Sequence, residues 1–274
     1  MIHGWRQLFK YAVKKGFNEW TQGLRWACQG GYLELIHEVI KNGANVWQIG
    51  LFEACESGNL DLVQIILNRG DRDWNNGLFG ACLGGHRDLA QELIKYGATN
   101  WDGGLCGACQ GGHVELIQMM TKYGADNWNL GLCGACKGGL QEVIQMLIKY
   151  GANHWESGLE GACAGGHFKV IHMMIELGAK NWGLGLAGAC AGGHLLVAQE
   201  MLERGATNLD YGLYEACWSG YLDLVHLMID RGATDWNRGL YAACKRDHSS
   251  VVRLMIQHGA TYCHACRRTS LTHP

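Results

Sequence analysis

Two groups of residues in this chain carry ligand types at spacings that suit a metal. Cys106, Cys109, Cys133 and Cys136 form two Cys-x-x-Cys pairs, the count and spacing a tetrahedral zinc ion would need. Cys263-His264-Ala265-Cys266, with His273 close behind, collects the same chemistry near the C-terminal end. Histidines also recur, at His86, His113, His167 and His194, and each would need a carboxylate partner and a pocket to work as a general acid or base. None of these groups reads as a site. Cys109 and Cys136 belong to a longer series, Cys28, Cys55, Cys82, Cys109, Cys136, Cys163, Cys190, Cys217 and Cys244, each preceded by alanine. A cysteine repeated beside alanine is a small apolar core residue, and ligation would pull it out of its packing slot. The tail cysteines read as adventitious metal affinity, and the histidines fall at a turn, where a hydrogen bond to backbone is the simpler role. No glycine-rich phosphate loop, nucleophile elbow or repeated pair of acids is present. The expectation is a protein without catalytic residues, metal or cofactor.

The elements that hold these residues come from a repeat. Trp101-Asp102-Gly103-Gly104-Leu105-Cys106-Gly107-Ala108-Cys109 starts again at Trp128, 27 residues on, and the Gly-Leu pair recurs nine times between Gly23 and Gly239. Self-similarity at such a period marks a solenoid, which buries its core between neighbouring units and needs no domain break to grow. Within a unit the spacing predicts a first helix from about the Gly-Leu pair to the residue after Ala-Cys, ended by glycine, as at Gly111-Gly112. A second helix follows His113, with Leu116, Ile117 and Met120 as its buried stripe, and Gly124-Ala125 closes it. Each helix is too short to persist alone in water, so stability must come from stacking. The prediction is an all-α solenoid over residues 1–262, with an N-terminal half-repeat cap at 1–19, nine repeats from about 20 to 262, and a tail at 263–274.

Composition narrows the function classes. Of 274 residues, 48% are apolar and 18% charged, with a formal net charge of −2, which is globular rather than disordered. Lysine and arginine are scattered, which argues against nucleic-acid or anionic-membrane partners, since neutralising phosphates requires a basic face. No apolar run approaches the roughly 20 residues of a membrane helix, and residues 1–6 lack the apolar core of a secretory signal. With free cysteines in a packing slot, the expected setting is the reducing cytoplasm.

Gly104-Leu105-Cys106-Gly107-Ala108-Cys109, the turn Gly112-His113 and the close Gly124-Ala125 resemble the ankyrin repeat, a likeness that extends over nearly the whole chain. The turn is repeated at Gly85-His86, Gly166-His167 and Gly193-His194, and the close at Gly97-Ala98, Gly151-Ala152, Gly178-Ala179, Gly205-Ala206 and Gly232-Ala233. The family's unit is longer, and the residues missing here fall where it forms a β-hairpin finger. Its threonine-proline helix start is also absent. Hairpins reduced to short loops and almost no β structure are therefore expected. Shortened, uniform arrays of this sort are similar to ankyrin proteins of large DNA viruses of amoebae and of some intracellular bacteria, which implies a host cytoplasm if the origin is viral.

The resemblance implies protein–protein recognition on a concave face lined by first-helix positions. The slot before Ala-Cys reads Trp26, Glu53, Gly80, Gly107, Gly134, Gly161, Gly188, Glu215 and Ala242. The slot after it reads Gln29, Glu56, Leu83, Gln110, Lys137, Ala164, Ala191, Trp218 and Lys245. Bulk sits at the ends, so Trp26, Glu53, Glu56, Glu215 and Trp218 are the expected contact residues, with exposed tryptophan as the favoured anchor. The competing reading of the glycines is tight helix packing with no partner at that face. A tryptophan also recurs at Trp20, Trp47, Trp74, Trp101, Trp128, Trp155, Trp182 and Trp236, broken by Leu209. This series is expected to pack between units. The function expected is a monomeric, non-catalytic adaptor or scaffold for a protein partner. The alternative is a structural, self-associating array.

Overall fold

Asn100 shows how a repeat begins. Its side-chain oxygen accepts a hydrogen bond from the Gly103 amide at 2.9 Å, which satisfies one of the unpaired donors of a helix start. Asp73, Asn127, Asn181 and Asp235 cap the equivalent helices in the same way, and His154 does so through its ring Nδ1, which accepts from the Ser157 amide. The cap moves the start of the first helix one turn earlier than the Gly-Leu pair, so the recurring tryptophan is its first residue and not part of a loop.

The computed structural model describes residues 47–68 and 72–261, together with Ala27, Leu35 and Ile36. The chain divides into two units, Met1–Ala125 and Asp126–Pro274. The first contains α1 (Trp47–Ser57), α2 (Leu60–Asn68), α3 (Trp74–Gly84), α4 (Arg87–Lys95), α5 (Trp101–Gly111) and α6 (Val114–Tyr123). The second contains α7 (Trp128–Gly138), α8 (Gln141–Lys149), α9 (Trp155–Gly165), α10 (Phe168–Glu176), α11 (Trp182–Gly192), α12 (Leu195–Glu203), α13 (Leu209–Ser219), α14 (Leu222–Asp230), α15 (Trp236–Lys245) and α16 (Ser249–Gln257). Among the described residues these sixteen helices occur with no strand, and each unit is a solenoid of stacked helix-turn-helix repeats. The half-repeat cap at 1–19, Trp26 and the Cys263–Cys266 tail lie outside the described residues.

Within a repeat, the two helices are joined by a Gly-His turn or its equivalent. Gly112 takes a left-handed φ of 80°, which a side chain would strain, and its counterparts from Gly85 to Gly220 do the same. The core beneath follows the predicted stripes: Leu105, Ala108 and Cys109 are fully buried against Leu116, Ile117 and Met120. The glycine of the Gly-Leu pair makes room for a methionine of the second helix and a cysteine of the preceding repeat. A Cβ on Gly158 would lie 2.5 Å from Sδ of Met174 and 3.4 Å from Sγ of Cys136. The Cys136 thiol donates to that same Met174 sulfur at 3.8 Å.

The glycine before Ala-Cys does not line a groove. It is buried, and a Cβ on Gly80 would fall 2.5 Å from the Phe52 carbonyl oxygen, and one on Gly107 the same distance from that of Phe79. On Gly161 and Gly188 it would clash with the carbonyls of Cys133 and Glu160. Successive first helices therefore meet backbone to backbone, and the packing reading of these glycines is the one the structure shows.

Two polar ties recur between neighbouring repeats. The imidazole Nε2 of His86, His113, His167 and His248 lies 2.9–3.0 Å from the carbonyl oxygen of Glu56, Leu83, Lys137 and Trp218, in each case 30 residues earlier. Where Tyr221 replaces histidine, the Ser219 hydroxyl donates to the Ala191 carbonyl at 3.0 Å instead. The second tie holds the short inter-repeat loops. Asn75 Oδ1 accepts from the Thr99 and Asn100 amides at 2.9 Å, and the side chains of Asn129, Glu156 and Asp210 do the same two, three and five repeats on. A single side-chain oxygen thus supplies acceptors that a hairpin would otherwise provide.

The tryptophans pack within their own repeat. Trp74 lies against Tyr96, Trp101 against Tyr123, Trp128 against Tyr150 and Trp236 against His258, with ring centroids 5.1–5.3 Å apart. Each partner stands at the end of that repeat's second helix. Arg204 covers Trp182 from the same place, 5.5 Å from the ring.

Two outcomes follow for stability. Gly183 occupies the loop-acceptor slot without an oxygen, and Asn208, which makes no cap bond of its own, stands 3.3 Å from where a Gly183 Cβ would be. Gly183→Asn should therefore raise unfolding free energy by about 1 kcal/mol, through the new acceptor and better helix propensity, as read from urea denaturation. An unchanged or lower midpoint would count against the loop-acceptor role. His113→Ala should cost about 1–3 kcal/mol by leaving the Leu83 carbonyl unpaired, and a neutral result would remove the histidine tie from the account.

Candidate functional site

Of the expected contact residues, Glu53 is only 4% exposed, in the seam slot of α1, and Glu56 is partly exposed one position past Ala-Cys. Both lie in the first unit. Beside them Phe52 and Phe79 stack at 5.7 Å, both partly exposed. Glu215 and Trp218 lie on α13 in the second unit, both partly exposed.

Three departures from the repeat fall together on α13 and the turn after it. Glu215 stands in the seam slot that glycine holds from Gly80 to Gly188, Ser219 in the next small slot, and Tyr221 in the histidine slot. A glutamate cannot pack against a backbone as glycine does, and α13 packs less closely on α11 than α11 does on α9. The same helix carries a stripe of aromatic rings. Tyr211, Tyr214 and Trp218 stand at i, i+3 and i+7, one stripe of the helix. Tyr211 and Tyr214 stack at 6.3 Å with an interplanar angle of 7°, and Tyr214 and Trp218 at 6.1 Å and 28°.

Cations from the next repeat lie over this stripe. The Arg238 guanidinium is 4.7 Å from the Tyr214 ring and 5.8 Å from that of Tyr211, and Arg246 is 4.6 Å from the Trp218 ring. Lys245 approaches Tyr241 at 5.6 Å. Carboxylates complete the arrangement. Burial pushes Glu215 above the usual carboxylate range, while a hydrogen bond from Tyr211 and the charge of Arg238 pull it back. Glu160 on α9 is raised too, first by burial and then by the charge of Glu215, with His154 acting in the opposite direction. Tyr211 is itself pushed up, by burial and then by Glu215.

The sequence singles out Glu215 and Trp218 as candidates, and the structure sets Tyr211, Tyr214, Arg238 and Glu160 around them. The helical spacing of Tyr211, Tyr214 and Trp218 was a signal in plain view, whereas the arginine over the rings was not. The other chemistry-bearing residues serve the fold. Burial raises the Cys82, Cys109, Cys163, Cys190 and Cys217 thiols to about 12, so they are neither thiolates nor ready ligands near neutral pH. Cys244 departs from this series in being disulfide-bonded. Among the described residues no three His, Cys, Asp or Glu side chains are gathered closely enough to hold a metal ion.

The raised carboxylate of Glu160 has a sign that can be checked. A carboxyl whose pKa is higher folded than unfolded favours the fold while protonated and disfavours it once ionised. Its penalty is absent below the ordinary carboxylate range and grows as pH rises through the raised value. Glu160→Gln should therefore raise the thermal midpoint at pH 7.5 and change it little at pH 3.5. A gain of equal size at both pH values would assign the effect to something other than charge. No protein-family model matches this chain, and no curated protein does.

Proposed function

We propose that this chain is a non-catalytic protein-interaction scaffold of the ankyrin-like class, working as a monomer in the cytoplasm. The class rests on the Gly-His turns, the Gly-Ala closes and the stacked helix pairs. The solvent setting is supported by the described helices, none of which is long and apolar enough to cross a membrane. One observation carries the interaction reading: the partly exposed stack of Tyr211, Tyr214 and Trp218, with Arg238 laid over it, occurs where the glycine seam is abandoned. Tryptophan, tyrosine and arginine are the side chains that dominate binding energy at protein interfaces. They lose little conformational entropy on binding when already stacked. The partner contact is thus assigned to the first-helix side of the second unit, centred on Tyr214, Glu215 and Trp218.

The test is capture from a lysate of the native host with the wild-type chain and with Trp218→Ala, whose fold is checked by circular dichroism. A specific partner should be retained by the wild type and weakened by about 2 kcal/mol or more, roughly thirtyfold, in the variant. Equal retention by both would move the site elsewhere. If light scattering instead shows a mass that grows with concentration and falls back in Trp218→Ala, the self-associating array replaces the adaptor.

A further inference from the structure

The charges over the ring stack have a direction. Arg238 and Lys245 stand two turns apart on α15, roughly 10 Å along its axis, and both are exposed. Neither makes an ion pair among the described residues. The acids nearby are committed elsewhere. Asp210 accepts the amides of Thr234 and Asp235, Asp235 caps the Arg238 amide, and the Glu215 carboxylate takes the Tyr211 hydroxyl. A guanidinium over a tyrosine ring retains N–H donors in the planar fork that fits a carboxylate. Its rotamer is already restricted by the stack, so less freedom is lost when an acid arrives. Tyr241, 45% exposed, carries Lys245 in a similar way and adds apolar surface between the two cations.

Resting on the scaffold reading above, we infer that the face formed by Tyr214, Trp218, Arg238, Tyr241 and Lys245 binds an acidic amphipathic helix of a protein partner. Carboxylates two turns apart on that helix meet Arg238 and Lys245, and apolar side chains between them cover the rings. The match is one of length and charge: residues i and i+7 of a helix are separated by the same roughly 10 Å as the two cations. Apolar residues at i+3 and i+4 fall on the same side as those carboxylates. A basic helix would meet the two cations at its centre.

The probe is a fluorescein-labelled, alanine-based helical peptide with glutamate at i and i+7 and leucine at i+3 and i+4. Counterparts carry glutamine or lysine in place of glutamate. Fluorescence anisotropy on the full chain should show the glutamate peptide binding at least about tenfold more tightly than the glutamine one, with the preference falling as salt rises. The double variant Arg238→Gln, Lys245→Gln should erase that preference, and Arg238→Lys, which keeps the charge but not the planar fork, should recover only part of it. Equal or tighter binding of the glutamine or lysine peptide would overturn the inference. So would an acidic preference that survives the double variant, or tighter binding of oligo-dT at the same face. If a neutral or basic peptide binds and Trp218→Ala removes it, the scaffold reading stands while the acidic partner falls. If no peptide binds but lysate capture remains sensitive to Trp218→Ala, again only the acidic partner falls; if capture fails as well, both do.

Discussion

The structure of each unit depends on how closely the backbones of consecutive first helices approach. At Gly80, Gly107, Gly161 and Gly188 one added carbon would collide with a carbonyl of the helix before. Glycine inside a helix costs about 1 kcal/mol relative to alanine, so four such positions are a real burden on local stability. What offsets it is contact. Without a Cβ, two helices of eleven residues bring backbone against backbone, and the neighbouring Ala and Cys close over the seam with no exposed surface. Helices this short have no stability of their own, so the seam is the reason they exist.

The polar ties are consequences of that spacing. With the first helices stacked, the carbonyl after Ala-Cys lies within reach of the next turn's imidazole, as at Leu83 and His113. Loops of five residues, such as 96–100, are likewise sufficient only because stacked helices leave a short gap to cross. Their amides find Asn75 or its counterparts instead of a second strand. The exchange of His for Tyr221 shows that the carbonyl must be met: Ser219 supplies the bond from a different position of the same repeat.

The candidate site is where this rule is suspended. Glu215 occupies the seam slot where α13 packs less closely on α11, and burial raises its carboxyl while the Tyr211 hydrogen bond and the Arg238 charge act in the opposite direction. An array optimised only for stacking would place glycine there, as it does at Gly161 and Gly188. Local departures from an otherwise consistent pattern concentrate where function imposes a second demand. The rings of Tyr211, Tyr214 and Trp218 stack along α13, and Arg238 completes a surface of the composition that interfaces favour.

A fixed period in the sequence identifies which positions are equivalent. That was enough for the all-helical class, the two helices per repeat, the buried stripe of Leu116, Ile117 and Met120, and the cysteine slot. Equivalence does not say which way a position points. The slot of Gly107 reads equally well as groove floor or helix seam, and Trp101 as bridge between repeats or as partner of its own Tyr123. Those choices turn on where the helix starts, set by the local cap of Asn100, and on how close the next one lies, set by contacts between residues far apart in the chain: the bond between His113 and the Leu83 carbonyl, and the loop held by Asn75. For the same reason the sequence alone could mark Trp218 and Glu215 as unusual, while the arginine across the rings belongs to the next repeat and was decided only when the two were stacked.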